Sequence, residues 1–145
     1  MDFPSDVAIR ASLKRGAVYY FKEESISSEK PHYFVVLNDG SCNSQLIILA
    51  CAQSQVEKRM RARRNLPQET LVVLPVGRYD YFTEETVFDC NSIFKKGITD
   101  LIDKHACGIL GVCGNEMPSD IVDRLVAGAL ASPLVPEEIK EQLSA

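Results

Sequence analysis

The sequence predicts a mainly β fold with helices: a small, strongly curved antiparallel barrel with a long C-terminal helix packed on one side. Three observations point there. Short apolar runs bounded by Gly, Ser, Asn and Asp recur through the first two thirds of the chain, which is the pattern of strands and turns. A long amphipathic run follows Pro118. No repeat, low-complexity tract or shift in composition divides the chain, so residues 1–145 read as a single domain.

Residues 1–14 precede the barrel as an N-terminal extension, and Ser5 to Leu13 suits a short helix with Ile9 and Leu13 one turn apart. The first strand is Ala17 to Lys22, rich in Val, Tyr and Phe. A polar link ends in Glu29-Lys30-Pro31, and the second strand runs from His32 to Leu37. Pro31 has no N–H for a ladder, so it belongs at the start of that strand. Asn38-Asp39-Gly40 marks a turn, because Asp-Gly favours tight reversal. The third strand follows Gln45 and runs to Ala50.

Gln53 to Gln68 is polar and basic and reads as a connection. Strands resume at Thr70 to Leu74 and at Thr86 to Cys90, with Asn91 to Gly97 linking to a short helix that Thr99 caps and that runs to His105. Gly108 to Val112 is the last strand, where Gly111 suggests a bulge or a close backbone approach. In the long helix Pro118 takes the first position, Asp120 complements the dipole, and Ile121, Val122, Leu125, Val126, Ala129 and Leu130 form one apolar face. Ser132-Pro133 ends it, and residues 133–145 form a C-terminal helical extension that starts at Pro136 and sets Ile139 and Leu143 one turn apart. Helices on one side of a curved antiparallel sheet complete the expected architecture.

A chain of 145 residues buries a core without staples. No apolar stretch of about 18 residues and no basic-then-apolar leader is present, which sets the expectation of a cytoplasmic protein with no membrane span. Cys42, Cys51, Cys90, Cys107 and Cys113 are odd in number and make no Cys-x-x-Cys pair, so they read as reduced. His105, Cys107 and Cys113 match no zinc spacing, whereas burial as small hydrophobes accounts for Cys51 and Cys107; no metal and no cofactor is expected. The net charge of −4 disfavours a general nucleic-acid binder. Lys58, Arg59, Arg61, Arg63 and Arg64 nevertheless cluster after the third strand, as a phosphate-attracting patch or as a solvated loop.

The stretches Arg15 to Phe21, Ser28-Glu29-Lys30-Pro31 and Phe34 to Leu37 resemble the opening of MazF/PemK-type toxins, where a Gly-Asp-Ile/Val strand leads to a loop ending in Arg-Pro. Ile47 to Lys58 resembles that family's third strand running into a Thr/Ser-bearing turn, and Leu66-Pro67, Thr70 to Leu74, Thr86 to Cys90 and Gly108 to Leu110 continue the order of elements. The resemblance spans roughly Arg15 to Ala131. It implies an SH3-like barrel, a homodimer, and a growth-inhibiting, metal-independent endoribonuclease that acts on single-stranded RNA and is neutralised by an antitoxin protein.

Such chemistry drives a ribose 2′-hydroxyl onto its own phosphate and needs a base, an acid and a cation. Lys30 stands in the family's Arg place, keeping the charge and losing the planar fork. Gln53 or Ser54 falls at the hydroxyl position, with Ser54 the better chemical fit. The catalytic expectation is therefore Lys30 on the phosphate, His32 as acid or base and Ser54 orienting the substrate. Gln53 and the basic cluster would bind RNA. His32 otherwise shares a strand face with Phe34 and Val36 and caps the core edge. Tyr19, Tyr20 and Tyr33 either stack on bases or pack within the sheet, and Asp89 with Asn91 either adds polar contacts at the mouth or serves a turn. The reading requires Lys30 and Ser54 to converge at the rim of one small closed sheet. Its alternatives are a catalytically impaired binding module for RNA or protein, which Lys30 and Gln53 favour, and a gyrase poison of the CcdB kind, which the two prolines of the last segment disfavour.

Overall fold

A computed structural model describes residues 4–26, 30–39 and 46–144. The six strands are β1 (Val18–Phe21), β2 (His32–Val36), β3 (Leu46–Gln53), β4 (Leu71–Leu74), β5 (Thr86–Gly97) and β6 (Leu110–Val112). The helices are α1 (Ser5–Ser12), α2 (Val56–Ala62), α3 (Ile98–Ala106), α4 (Ser119–Ala131) and α5 (Glu137–Ser144). Gly40, Glu29 and Cys42, singled out in the sequence, lie outside the described residues.

All pairings are antiparallel and the strands lie in the order β4-β5-β3-β2-β1-β6. β4 and β6 are the two edges, and no pairing joins them among the described residues. The expected closed barrel is thus corrected to an open sheet, and the mainly β class to a mixed α and β one.

The helices also depart from expectation by covering both faces. Alternation along the strands sends Val35, Ile48, Ala50 and Phe88 to one side, where α4 and α5 supply Ile121, Leu125, Ala129, Ile139 and Leu143. Phe34, Val36, Ile47 and Leu49 point the other way, against Ile9 and Leu13 from the N-terminal segment and Ile98 and Leu101 of α3. β3 is buried on both faces from Ile47 to Ala52, which is why its sequence is a continuous apolar run without alternation. At about 1.5–3 kcal/mol for each buried Ile, Leu, Val or Phe, these two cores outweigh any single polar contact. Both terminal segments place residues in them.

A helix forms over Ser119–Ala131, but Pro118 is its N-cap and not its first residue, Leu130 of the expected apolar face is exposed, and α5 follows it in the chain. Gly97, not Thr99, precedes α3, and no side chain caps that helix. Cys51 is buried, whereas Cys107, expected to be buried as well, is exposed. Gly111 sits in regular register opposite Tyr20.

β5 carries the irregularity instead. Ala50 faces Ile93 and Ala52 faces Phe88, so Asp89, Cys90, Asn91 and Ser92 bulge out of the β3 ladder. The polar residues that made the strand seem to end at Cys90 are those of the bulge, and the strand resumes beyond it to Gly97. The freed side chains knit one buried network. Arg63 donates through Nε to Asp89 at 2.8 Å and through Nη2 to Ser92 Oγ at 3.0 Å. Asn91 Nδ2 donates to Asp89 at 2.9 Å and to Thr70 Oγ1 at 3.0 Å, while Ser132 Oγ donates to Asn91 Oδ1 at 2.6 Å. Asp89, Asn91, Thr70 and Ser132 are all buried, and the mutual bonds offset their desolvation.

Candidate functional site

β1 and β3 end, and β2 and β5 begin, at the same end of the sheet. A cleft of about 630 Å³ opens there, within the size range of small-ligand sites. Lys30 and His32 enter it from the start of β2, Gln53 and Ser54 from the end of β3, Lys58 and Arg59 from α2, and Tyr81 to Glu84 from the β4–β5 connection. The three residues expected to act together, Lys30, His32 and Ser54, line this one cleft with Gln53. Lys30 and Ser54 line the same cleft at the rim of the sheet, but the closed sheet that the reading required is not formed among the described residues.

The basic cluster divides. Residues 53–68, expected to be a loop, contain α2, which brings Lys58 and Arg59 to the cleft. Arg63 turns instead to Asp89, and Arg61 and Arg64 are exposed outside the lining. Arg59 lies 3.8 Å from Asp89, a distance that steers its guanidinium without a hydrogen bond. Asp89 Oδ1 accepts from the Asn91 N–H at 3.1 Å, the Asx-turn contact, so it serves a turn within the bulge and does not line the cleft. It pins the C-terminal end of α2 to the bulge of β5.

The cleft straddles the sheet. Phe21 pairs with His32, and continuing the ladder in which Phe34 faces Cys51 sets His32 opposite Gln53. That row belongs to the α3 side. The next row, Tyr20, Tyr33, Ala52 and Phe88, belongs to the α4 side. Among the described residues, His32 Nδ1 and Gln53 Oε1 are the buried side-chain polar atoms without a hydrogen-bond partner. A buried polar group left unpaired costs about 1–3 kcal/mol, and both atoms belong to residues that line the cleft.

Burial lowers the His32 pKa below its ordinary value, and a hydrogen bond to the Lys30 backbone opposes this only in part. The imidazole is consequently neutral near pH 7, the state in which it accepts a proton.

Tyr19 is fully buried and hydrogen-bonded to Ser12 at 2.8 Å, which removes it from any binding role. Tyr20 and Tyr33 line the cleft, joined by Tyr81 and Phe82, which the sequence reading passed over. The signal available there was the Gly77 to Phe82 stretch, where two tyrosines and a phenylalanine sit in a turn-rich connection. No group of three or more His, Cys, Asp or Glu side chains able to hold a metal occurs among the described residues. No helix is long and apolar enough to cross a membrane, among the described residues. Compared with protein-family models and with curated proteins, the chain matches none.

Proposed function

We propose that the cleft binds single-stranded RNA and cleaves it without metal, by attack of a ribose 2′-hydroxyl on the adjacent phosphate. The observation that carries this reading is the meeting of Lys30, His32 and Ser54 in one cleft with Lys58 and Arg59. The open sheet fails the closed-sheet requirement and withdraws the support of the family resemblance, so the reading of the cleft rests on its residues alone. The chemistry, however, needs a base, a proton donor and cations around one phosphate, and closure of a sheet supplies none of these.

In this reading neutral His32 takes the 2′-hydroxyl proton. Lys30, with Lys58 and Arg59, offsets charge developing on phosphorus. Ser54 orients the phosphate oxygens. The 2′-oxygen bonds to phosphorus as the bond from phosphorus to the 5′-oxygen breaks, the leaving oxygen takes a proton from water, and the products end in a 2′,3′-cyclic phosphate and a 5′-hydroxyl. A homodimer, an antitoxin partner and growth inhibition belong to the same proposal and rest on the sequence resemblance alone.

A long unstructured RNA incubated with the protein in EDTA tests it. Cyclic-phosphate ends are expected, with rates falling as pH drops through the lowered His32 pKa, below about 6.5. His32→Ala or Lys30→Ala should cut the rate by about 100-fold or more. Unchanged cleavage in both variants would remove these roles. Intact RNA that is nevertheless bound would favour the second reading, a binding module without catalysis, for which the single-point charge of Lys30 in place of a bidentate guanidinium is the specific support.

A further inference from the structure

The two edges of the sheet are not equivalent. β4 is guarded: Pro75 follows it, its four residues are buried or half-buried, and α4 packs so near the turn before it that a Cβ at Gly128 would lie 2.7 Å from the Glu69 carbonyl oxygen. The usual protections of an edge are a lysine or proline on the strand, a bulge, or a covering element. β6 has none of them. No residue from 106 to 115 is charged or a proline, and the three pairs with β1 run in unbroken register. Gly111 is exposed, Val112 is 40% exposed and Ile109 beside the strand 60%. A Cβ on Gly111 would meet nothing nearer than the Tyr20 carbonyl oxygen at 4.0 Å. Register also fixes which backbone groups face outward. The Cys113 N–H donates to the Val18 carbonyl at 2.9 Å, so Cys113 and, two residues back, Gly111 turn their backbone groups to β1. The N–H and C=O groups of Leu110 and Val112 therefore point away from the sheet.

We infer that β6 pairs with β6 of a second copy of this chain, antiparallel about a two-fold axis at Gly111, joining the two six-stranded sheets into one. Leu110 of each copy then faces Val112 of the other, and each such pair exchanges two N–H···O=C bonds, so every outward group of the edge is answered. Gly111 faces its own copy as a non-hydrogen-bonded pair, in which Cα atoms approach to about 4.5 Å; without a side chain that approach is uncrowded. Charge selects the occupant. An acidic or basic strand laid along residues 106–115 would find no counter-charge there, whereas a copy of the same uncharged segment brings none. The charged residues that flank the segment, Lys104 and Glu116, are each paired within the chain, with Asp100 at 3.6 Å and Lys14 at 2.5 Å. Lys30, His32 and Ser54 take no part, so the dimer stands or falls apart from the RNA reading of the cleft.

Sedimentation velocity of the full chain across a range of concentrations tests the pairing. The wild type should shift from the mass of one chain to that of two as concentration rises. Gly111 does not have a positive φ and has open space around it, so Gly111→Lys is compatible with the folded monomer. It sets two like charges face to face at the axis and should weaken association about tenfold or more, with urea unfolding unchanged at concentrations where both proteins are monomers. Gly111→Cys, in a Cys107→Ser background and under mild oxidation by oxidised glutathione, should yield a dimer linked between the two residues 111, as mapped by mass spectrometry, because the paired Cα separation lies within disulfide reach. The cysteine variant decides even where the lysine disturbs the strand. A wild type that stays monomeric at every concentration, a dimer that Gly111→Lys leaves intact, or a dimer whose two residues 111 do not link overturns the pairing.

Discussion

At the scale of single residues, burial decides which side chains are chemically available. The thiols of Cys51 and Cys90 are pushed up to about 12 by burial, so neither is a thiolate at neutral pH. Cys107 is exposed at the end of α3. Brief treatment of the native protein with iodoacetamide should label Cys107 and spare Cys51 and Cys90, as read by peptide mass spectrometry; labelling of all three at equal rates would contradict the packing of β3 and β5. The same logic separates the tyrosines of β1. Two neighbours in sequence, Tyr19 and Tyr20, point to opposite faces, and one is sealed in the core while the other faces the cleft. The Val-Tyr-Tyr-Phe run was legible as a strand, but which tyrosine faces the core follows from what covers each face. That depends on helices distant in sequence.

At the scale of elements, strands and helices with strong periodicity were legible. α4 carries its apolar residues at helical spacing, and it forms. α2 was hidden because its surface is almost wholly polar. Only Val56 is buried, and Arg63 at its end is tied to Asp89, a residue far along the chain, so local pattern held no trace of what stabilises it. α4 also offers a test in which two effects oppose. Glycine within a helix costs about 1 kcal/mol relative to alanine, so Gly128→Ala should stabilise on propensity alone. A Cβ there would lie 2.7 Å from the Glu69 carbonyl oxygen and 3.0 Å from Cys90 Sγ. The oxygen is backbone and cannot swing away, so α4 must shift from the sheet. Overpacking of this kind costs about 1–3 kcal/mol and outweighs the gain. Urea denaturation should show Gly128→Ala less stable than the wild type by about 1 kcal/mol or more, and a gain in stability would show that α4 approaches the sheet less closely than described.

At the scale of the whole molecule, the bulge of β5 joins the parts. Asp89 links α2 to the sheet, and through Asn91 the same network reaches Ser132 at the end of α4. Removing a buried partner leaves the other charge unanswered, at about 3–5 kcal/mol for a fully buried pair. The Arg63 side chain is 24% exposed and can turn to water, so Asp89→Ala should cost about 3 kcal/mol in urea denaturation. A loss below about 0.5 kcal/mol would show that the network is incidental. The sequence by itself determined the number and order of strands, the amphipathic helices and the candidate trio Lys30, His32 and Ser54, because periodicity, turn chemistry and side-chain type act locally. Only the tertiary structure decided that the sheet stays open, that helices cover both its faces, and that Tyr81 and Arg59 join the cleft while Arg63 leaves it. Those outcomes depend on pairings and burial between segments far apart in the chain, which no local pattern encodes.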